Sequence, residues 1–456
     1  GSVHQHRCHL SRTRPMKTEM QNGRARREGD CAARRGVVRA GGQPDLHARQ
    51  RLAEPVVDDA PHEPVLGHPP HEPVMVAEVV EYLLPESSGT GRRVADMTVG
   101  AGGHAAALLD AGVELTIYSF VTPEAREERP LDGLRVVSLG ARGYADSGLL
   151  HEAVANDRSD AIVAHFPNRE LLRAVIGANC RSMAVLANSY NRRGPKAWLE
   201  RWRVAKLLNN PRFELVSNHC LPATNHLASF GVDRSKLIAW DVPHRFEPKA
   251  VAPKTLALGR SFKVAFAGAI RADKGVADLI RAAAQLRKDG LELECSFAGS
   301  GEIEEMQALG RELGVSDLLD FRGLVPNGDV FGLFRNADVV VVPSHKEYTE
   351  GFPLTMFEAI GSRTPIVCSD HPMFVPVLKN GVHAVLFAGG DASAFADALR
   401  HVLTDGDLYA RLSENADLTW ATLKGPADWR TMLTEWILRG RNSDWIDRHM
   451  LSREQP

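Results

Sequence analysis

Two successive tracts of short apolar runs alternating with helical patterns constrain this 456-residue chain more than any other feature. In the first, from Val113 to about Val242, strand candidates fall at Leu115–Phe120, Arg135–Leu139, Ala161–Ala164, Met183–Ala187 and Phe213–Ser217. Helical stretches such as Glu170–Ile176 and Ala197–Leu208 lie between them. In the second, from Phe262, strands are expected at Lys263–Ala267, Glu292–Ala298, Leu319–Phe321, Val339–Val342 and Ile366–Ser369. The intervening helices are Val276–Lys288, Ile303–Leu313, Asp329–Phe334, Leu354–Gly361 and Ala392–Thr404. Strand–helix alternation covers both faces of a parallel sheet, so each tract reads as a doubly wound α/β domain. The periodicity stops across Trp240–Pro253, where Pro243, Pro248 and Pro253 mark a linker. Two such domains in tandem place a ligand cleft between them. A last helix around Trp429–Arg439 needs a surface for Trp436, Ile437 and Leu438, and the first domain is the expected one.

Composition narrows the class. Hydrophobic residues make up 44% and charged residues 25%, as in a globular chain, and the net charge of −2 gives no reason to expect nucleic acid as a partner. No apolar run approaches the roughly 18 residues of a membrane span, and no signal-peptide core is visible. The six cysteines are scattered, with no C-x-x-C pair, which suits free thiols in a reducing cytoplasm. Residues 1–66 read as a disordered leader, rich in Arg, His, Gly and Pro without sustained periodicity. Its cluster Arg24, Arg26, Arg27, Arg34 and Arg35 also suits a nucleic-acid arm, and His4, His6, Cys8 and His9 resemble metal ligands. The lack of a packed frame around them favours the plain reading, and no metal is expected.

The chemistry is concentrated in the second tract. Glu350-Gly-Phe-Pro-Leu-Thr-Met-Phe-Glu358 is an E-x(7)-E pattern in which Pro353 suits the first turn of a helix. The free amides of Leu354 and Thr355 and the positive helix end then form an anion site, with one carboxylate beside it and Glu358 about a turn further in. Helix capping plus a solvated face would explain the same carboxylates. Upstream, a strand ends at Gly268 and leads into Arg271-Ala-Asp-Lys274-Gly275, two cations placed to reach one diphosphate or merely to solvate a turn. The succession continues through Gly299-Ser-Gly301, Phe321-Arg-Gly323 and Pro343-Ser344 to the glutamate pair.

In that order these residues resemble the C-terminal domain of family 4 retaining glycosyltransferases, whose fold is GT-B: two Rossmann-like domains facing across a cleft. The resemblance runs from about Lys263 to Leu403. It implies that Arg271 and Lys274 grip the donor diphosphate, that Glu350 lies beside the donor sugar, and that Glu358 holds the ribose hydroxyls. Gly268 belongs to the same donor site. Backbone at Gly323, Leu324 and Val325 would frame the base, and amides at Phe352, Pro353, Leu354 and Thr355 would surround the phosphate. Where the family often has Gly-Gly-x-x-Glu after Ser-Asp, this chain has His371-Pro372-Met373-Phe374.

The first tract matches more loosely. Asp160-Ala-Ile-Val-Ala-His165 resembles the family's strand ending in a cleft-facing His, which makes His165 the candidate for contact with the transferring sugar. Ser217 and His219 end another strand on the acceptor side. His71–Leu109 resembles instead the opening of the rRNA cytosine methyltransferases, with His71-Glu-Pro-Val-Met75 and the S-adenosylmethionine loop Gly100-Ala-Gly-Gly-His104. Gly102 and Gly103 could equally form the acceptor loop of a GT-B domain.

The resulting expectation is residues 67–245 as acceptor domain, with a methyltransferase-like segment at 71–112. Residues 246–425 would form the nucleotide-sugar domain, and 426–456 a helix and tail. The expected function is transfer of a sugar, with retention, from a nucleoside diphosphate sugar to a sugar, lipid-linked sugar or small-molecule acceptor, without a cofactor. Peripheral membrane contact stays open. An S-adenosylmethionine-dependent methyltransferase and a non-catalytic donor-binding relic are the alternatives. Deleting residues before Pro61 is expected to leave the thermal midpoint unchanged in calorimetry, and loss of folding would contradict the compositional reading.

Overall fold

The computed structural model describes residues 92–97 and, with short breaks, residues 109–451. The first tract forms β1 (Arg92–Met97), β2 (Val113–Ser119), β3 (Ala125–Leu131), β4 (Leu134–Leu139), α1 (Ser147–Asn156), β5 (Ala161–His165), α2 (Arg169–Gly177), β6 (Arg181–Leu186), α3 (Pro195–Leu208), β7 (Phe213–His219), α4 (Leu221–Ser229) and β8 (Leu237–Asp241). The second begins with β9 (Phe262–Ala267), α5 (Val276–Lys288), β10 (Leu293–Ala298), α6 (Ile303–Glu312), β11 (Leu319–Gly323), α7 (Asn327–Asn336) and β12 (Val339–Val342). It closes with α8 (Leu354–Gly361), β13 (Ile366–Ser369), β14 (Val385–Phe387), α9 (Ala392–Thr404), α10 (Gly406–Glu414) and α11 (Ala416–Leu423). The chain then returns to the first sheet as β15 (Ala427–Asp428), α12 (Trp429–Arg439) and α13 (Asp444–His449).

Two sheets result, ordered β15-β8-β7-β6-β5-β1-β2-β4-β3 and β11-β10-β9-β12-β13-β14. Every pairing is parallel except the β3–β4 edge. Strand period 2 sorts side chains to opposite faces. In β5, Ala161 and Val163 join one core, whereas Ile162 and Ala164 join the other. In β12, Val339 and Val341 part from Val340 and Val342 in the same way.

Two features depart from the sequence expectation. The hairpin strand β3, Ala-Arg-Glu-Glu-Arg-Pro-Leu, is too polar to read as a strand and survives as an edge, where only one side needs pairing. Trp240 and Asp241 belong to β8 rather than to a linker, because the returning β15 pairs with them, Ala427 to Trp240 and Asp428 to Asp241. Residues 427–451 bring the last helix onto the first sheet: Trp429, Met432, Leu433, Trp436 and Ile437 cover the face bearing Val163, Met183, Leu215 and Ile238. Trp436 is fully buried, and its indole N–H donates to Glu214 at 3.0 Å. Removing one such indole from water is worth about 5 kcal/mol as an upper bound.

The chain thus passes between the sheets twice, and Asp241 ties both passages. Its carboxylate accepts from Val242 N at 2.8 Å and from Gly425 N at 2.9 Å. His244 Nε2 lies 3.0 Å and His219 Nε2 3.4 Å from the same group. His244 stacks on Phe357 of α8, with 4.0 Å between ring centroids. Beyond this point Arg363, itself buried, donates to Pro248 O and Val251 O at 2.8 Å each and pairs with Asp417. Lys254 caps the carbonyls of Arg335 and Ala337. The connecting segment is therefore fastened to the second domain.

Burial by itself would raise the Asp241 pKa, but the hydrogen bonds from His219, His244 and Gly425 outweigh it and hold the carboxyl well below its usual value of 3.8. A depressed carboxylate stabilises the fold above its unfolded pKa, and that contribution is lost as pH falls through the folded one. Asp241→Asn is expected to lose about 2–4 kcal/mol at neutral pH in urea melts, with the gap to the parent closing below about pH 4. An equal gap at all pH values would refute the charge-based account.

Candidate active site

The site is built at the C-terminal ends of the second sheet's central strands. After β9 the chain runs through Gly268 to Arg271 and a single turn of 3-10 helix, Ala272–Lys274. Gly275 then adopts a left-handed φ of 75°, and a Cβ there would stand 2.3 Å from Pro343 O. Only glycine lets this turn lie directly on the end of β12. The turn aims Lys274 inward, where its Nζ forms an ion pair with the Glu350 carboxylate and sits 4.5 Å from the Tyr348 ring centroid. Both side chains are nearly enclosed, 12% and 11% exposed, so their desolvation is offset mainly by each other. Ser344 Oγ donates to the same carboxylate at 2.9 Å.

Arg271 behaves differently. Half exposed, it makes a two-pronged contact with Asp273 at 2.8 and 2.7 Å. The two cations that the sequence placed together are thus separated, one inward on Glu350 and one outward on Asp273.

Pro353 occupies the N-cap of α8 rather than the first helical position, at φ −70° and ψ 131°, with no side chain capping the helix. The amides of Leu354 and Thr355 follow at the helix start, Leu354 exposed and Thr355 half-buried. Phe352 anchors the turn in the core against Phe357 and Phe374. One turn on, burial raises the Glu358 pKa from 4.5 to about 7. Beside α8 the strand ends are stitched by backbone: Gly268 N–H donates to Ala298 O at 2.9 Å and Gly299 N–H to Gly323 O at 2.7 Å. Exposed Leu324 and half-buried Val325 line a groove of about 740 Å³ with Lys263, Ser296 and Asp320.

The first domain meets this site from β6. Asn188 forms an antiparallel bridge with Glu350, and Ser189 N lies 3.4 Å from Thr349 O. The approach requires Gly351, where a Cβ would be 2.4 Å from Ala187 O. His371, noticed in sequence only as a departure from pattern, completes the contact. Its Nδ1 accepts from Met373 N at 3.2 Å, so Nε2 carries the proton and donates to Tyr348 O at 3.0 Å, with the Asn191 amide 3.3 Å away. Burial lowers the His371 pKa and keeps the ring neutral. Asn191 carries no sequence signal that would have singled it out, whereas Ser344 belongs to the Pro343-Ser344 step of the motif succession.

Three expected residues serve the framework instead. His165 is 3% exposed and meets Trp429 edge-on at 5.3 Å between centroids. Ser217 is fully buried and its Oγ donates to Ala184 O at 3.3 Å. His219 is enclosed by Trp240, Phe357 and Asp241. The covering helix α12 and the interdomain rings close these strand ends to solvent, which a strand-by-strand reading could not anticipate. Gly102 and Gly103 lie outside the described residues, as do residues 1–66 and most of 71–112. Among the described residues no group of three His, Cys, Asp or Glu is placed to hold a metal ion, and no helix is long and apolar enough to cross a membrane.

Residues 250–419 match the family model described as glycosyl transferases group 1. This stretch, little more than a third of the chain, is what the likeness to that family rests on. The whole two-domain GT-B architecture is shared with sucrose-phosphate synthase from Thermosynechococcus elongatus, at TM-score 0.57 and 18% identity over 75% of this chain and 97% of that one. HepE from Anabaena, in complex with UDP and glucose, overlays at TM-score 0.54 and 16% identity over 76% and 98%. At such identities the likeness shows the fold alone. Among curated proteins, the D-inositol 3-phosphate glycosyltransferase of Corynebacterium jeikeium is 33% identical over 186 residues, 38% of this chain and 44% of that protein. The Nocardia farcinica protein of the same name is 30% identical over 228 residues, 45% and 49%. The chain thus matches about half the length of these relatives.

The Glu358 carboxyl of this GT-B protein offers a direct test. A raised pKa means the neutral form suits the fold, so its contribution is intact below the unfolded value of 4.5 and is lost as pH rises through about 7. Glu358→Gln is expected to melt above the parent at about pH 8 and with it at about pH 4. Coincident melting at both pH values would show the carboxyl to be well solvated.

Proposed function

We propose that this protein transfers a sugar from a nucleoside diphosphate sugar to an acceptor, with retention at the anomeric carbon. The observation carrying this is the enclosed Lys274–Glu350 pair, which stands beside the Asn188 domain contact and just ahead of the uncapped start of α8. Charge builds on the diphosphate as the glycosidic C–O bond breaks. Lys274, the amides of Leu354 and Thr355, and Arg271 once it releases Asp273, are disposed to receive that charge. Preorganised donors of this kind are worth about 3 kcal/mol each in the transition state. Glu358 would accept from the ribose hydroxyls and Glu350 would face the sugar. HepE holds UDP and glucose, and the curated relatives are named glycosyltransferases, which supports a nucleotide-sugar donor here. Retention rests on the resemblance to family 4.

The pairing of Lys274 with Glu350 makes the roles separable. The diphosphate has to take Lys274 from Glu350, so Glu350 competes with the nucleotide rather than helping to bind it. Lys274→Ala is expected to weaken UDP or GDP binding about ten- to a hundredfold in calorimetry. Glu350→Gln should bind within about threefold of the parent, or more tightly, yet lose turnover in an assay with a panel of nucleotide sugars. If it lost nucleotide affinity as severely as Lys274→Ala while melting normally, Glu350 would belong to the nucleotide site.

A further inference from the structure

The stretch from Arg192 to Lys206 contrasts with the chain around it. It carries six cationic side chains, Arg192, Arg193, Lys196, Arg201, Arg203 and Lys206, against the single acid Glu200, in a protein of net charge −2. Most of it is α3, whose Val204, Ala205 and Leu208 are buried under the first sheet. On the other side stand Trp198 and Trp202, four residues apart and 61% and 49% exposed. Among the described residues they are the only exposed large aromatics. Lys206 Nζ lies 5.5 Å from the Trp202 ring centroid. Arg192, Arg193, Lys196 and Arg203 are exposed around the indoles, whereas Arg201 turns back to the carbonyls of Tyr190 and Arg192 at 3.1 and 2.8 Å.

Two indoles left in water on a helix whose other side is fully packed call for an occupant. The surrounding charge selects it. Lysine is depleted in protein–protein interfaces, and a second copy of this helix would bring cations against cations. A surface of phosphates satisfies both components, because indoles favour the headgroup–acyl boundary and Lys and Arg meet anionic headgroups.

We propose that the exposed face of α3 docks on an anionic lipid bilayer, with Trp198 and Trp202 in the boundary layer and Lys196, Arg203 and Lys206 on lipid phosphates. The helix begins four residues after Asn191, which touches His371 beside the Glu350 contact. Docking therefore brings the first domain's side of the site to the lipid surface. On the glycosyltransferase reading above, the acceptor is then a lipid-borne or membrane-apposed hydroxyl group; the docking itself does not require that reading.

The test is co-sedimentation of the full chain with phosphatidylcholine vesicles, with and without phosphatidylglycerol, at low and high salt. Binding is expected only to the anionic vesicles and should weaken as salt rises. Trp198→Ser with Trp202→Ser, and separately Lys196→Glu with Arg203→Glu, should each reduce it by roughly tenfold or more while melting and UDP affinity stay at parent values. Absence of binding to anionic vesicles, or binding indifferent to both variants, would overturn the proposal. So would concentration-dependent self-association abolished by the tryptophan variant, which would assign the face to a second copy. A chain that binds vesicles but transfers no sugar would leave docking standing and remove the acceptor assignment alone.

Discussion

The Asp241 carboxylate accepts from Val242 where the chain leaves the first sheet and from Gly425 where it comes back, with two imidazoles against the same group. Arg363 and Lys254 hold the outward segment to the second domain. Both crossings between the sheets are thus fixed at one carboxylate, not left as a slack linker. The domains also meet where Asn188 bridges Glu350, at the site itself.

At that edge the charges are already paired. Lys274 has Glu350, Arg271 has Asp273, and Glu350 also has Ser344. Binding an anion is then an exchange of partners. This lowers the net gain from each cation but spares the empty site a buried unpaired charge, the more damaging alternative. Glu358 follows another course: burial alone raises its pKa to about 7, so its charge is costly where no donor meets it.

The second domain was largely legible because β12 and β13 are buried on both faces and its longer helices are strongly periodic. Val276–Lys288, Leu354–Gly361 and Ala392–Thr404 are read from the sequence to the residue. The first domain was less so. Whether a strand end such as His165 or His219 faces a cleft depends on Trp429 and Phe357, which lie hundreds of residues away or in the other domain. Local pattern carries no such information. The ion pair of Lys274 with Glu350 was equally hidden: both residues were found for the charge each bears, but their contact is a product of the turn at Gly275 lying on Pro343. His371 was visible as an exception long before its geometry gave the exception a use.

The return of β15 and α12 to the first sheet also sets an order of events during synthesis. The core beneath Val163 and Met183 lacks Trp429 and Trp436 until the entire second domain has been made. At about 5–20 residues per second, the interval between completing β8 and delivering α12 is on the order of 10–40 s. The second domain contains its own core and can condense within that interval. On the ribosome, the domain that is translated earlier stays open longer, with one greasy face waiting for a helix made well after it.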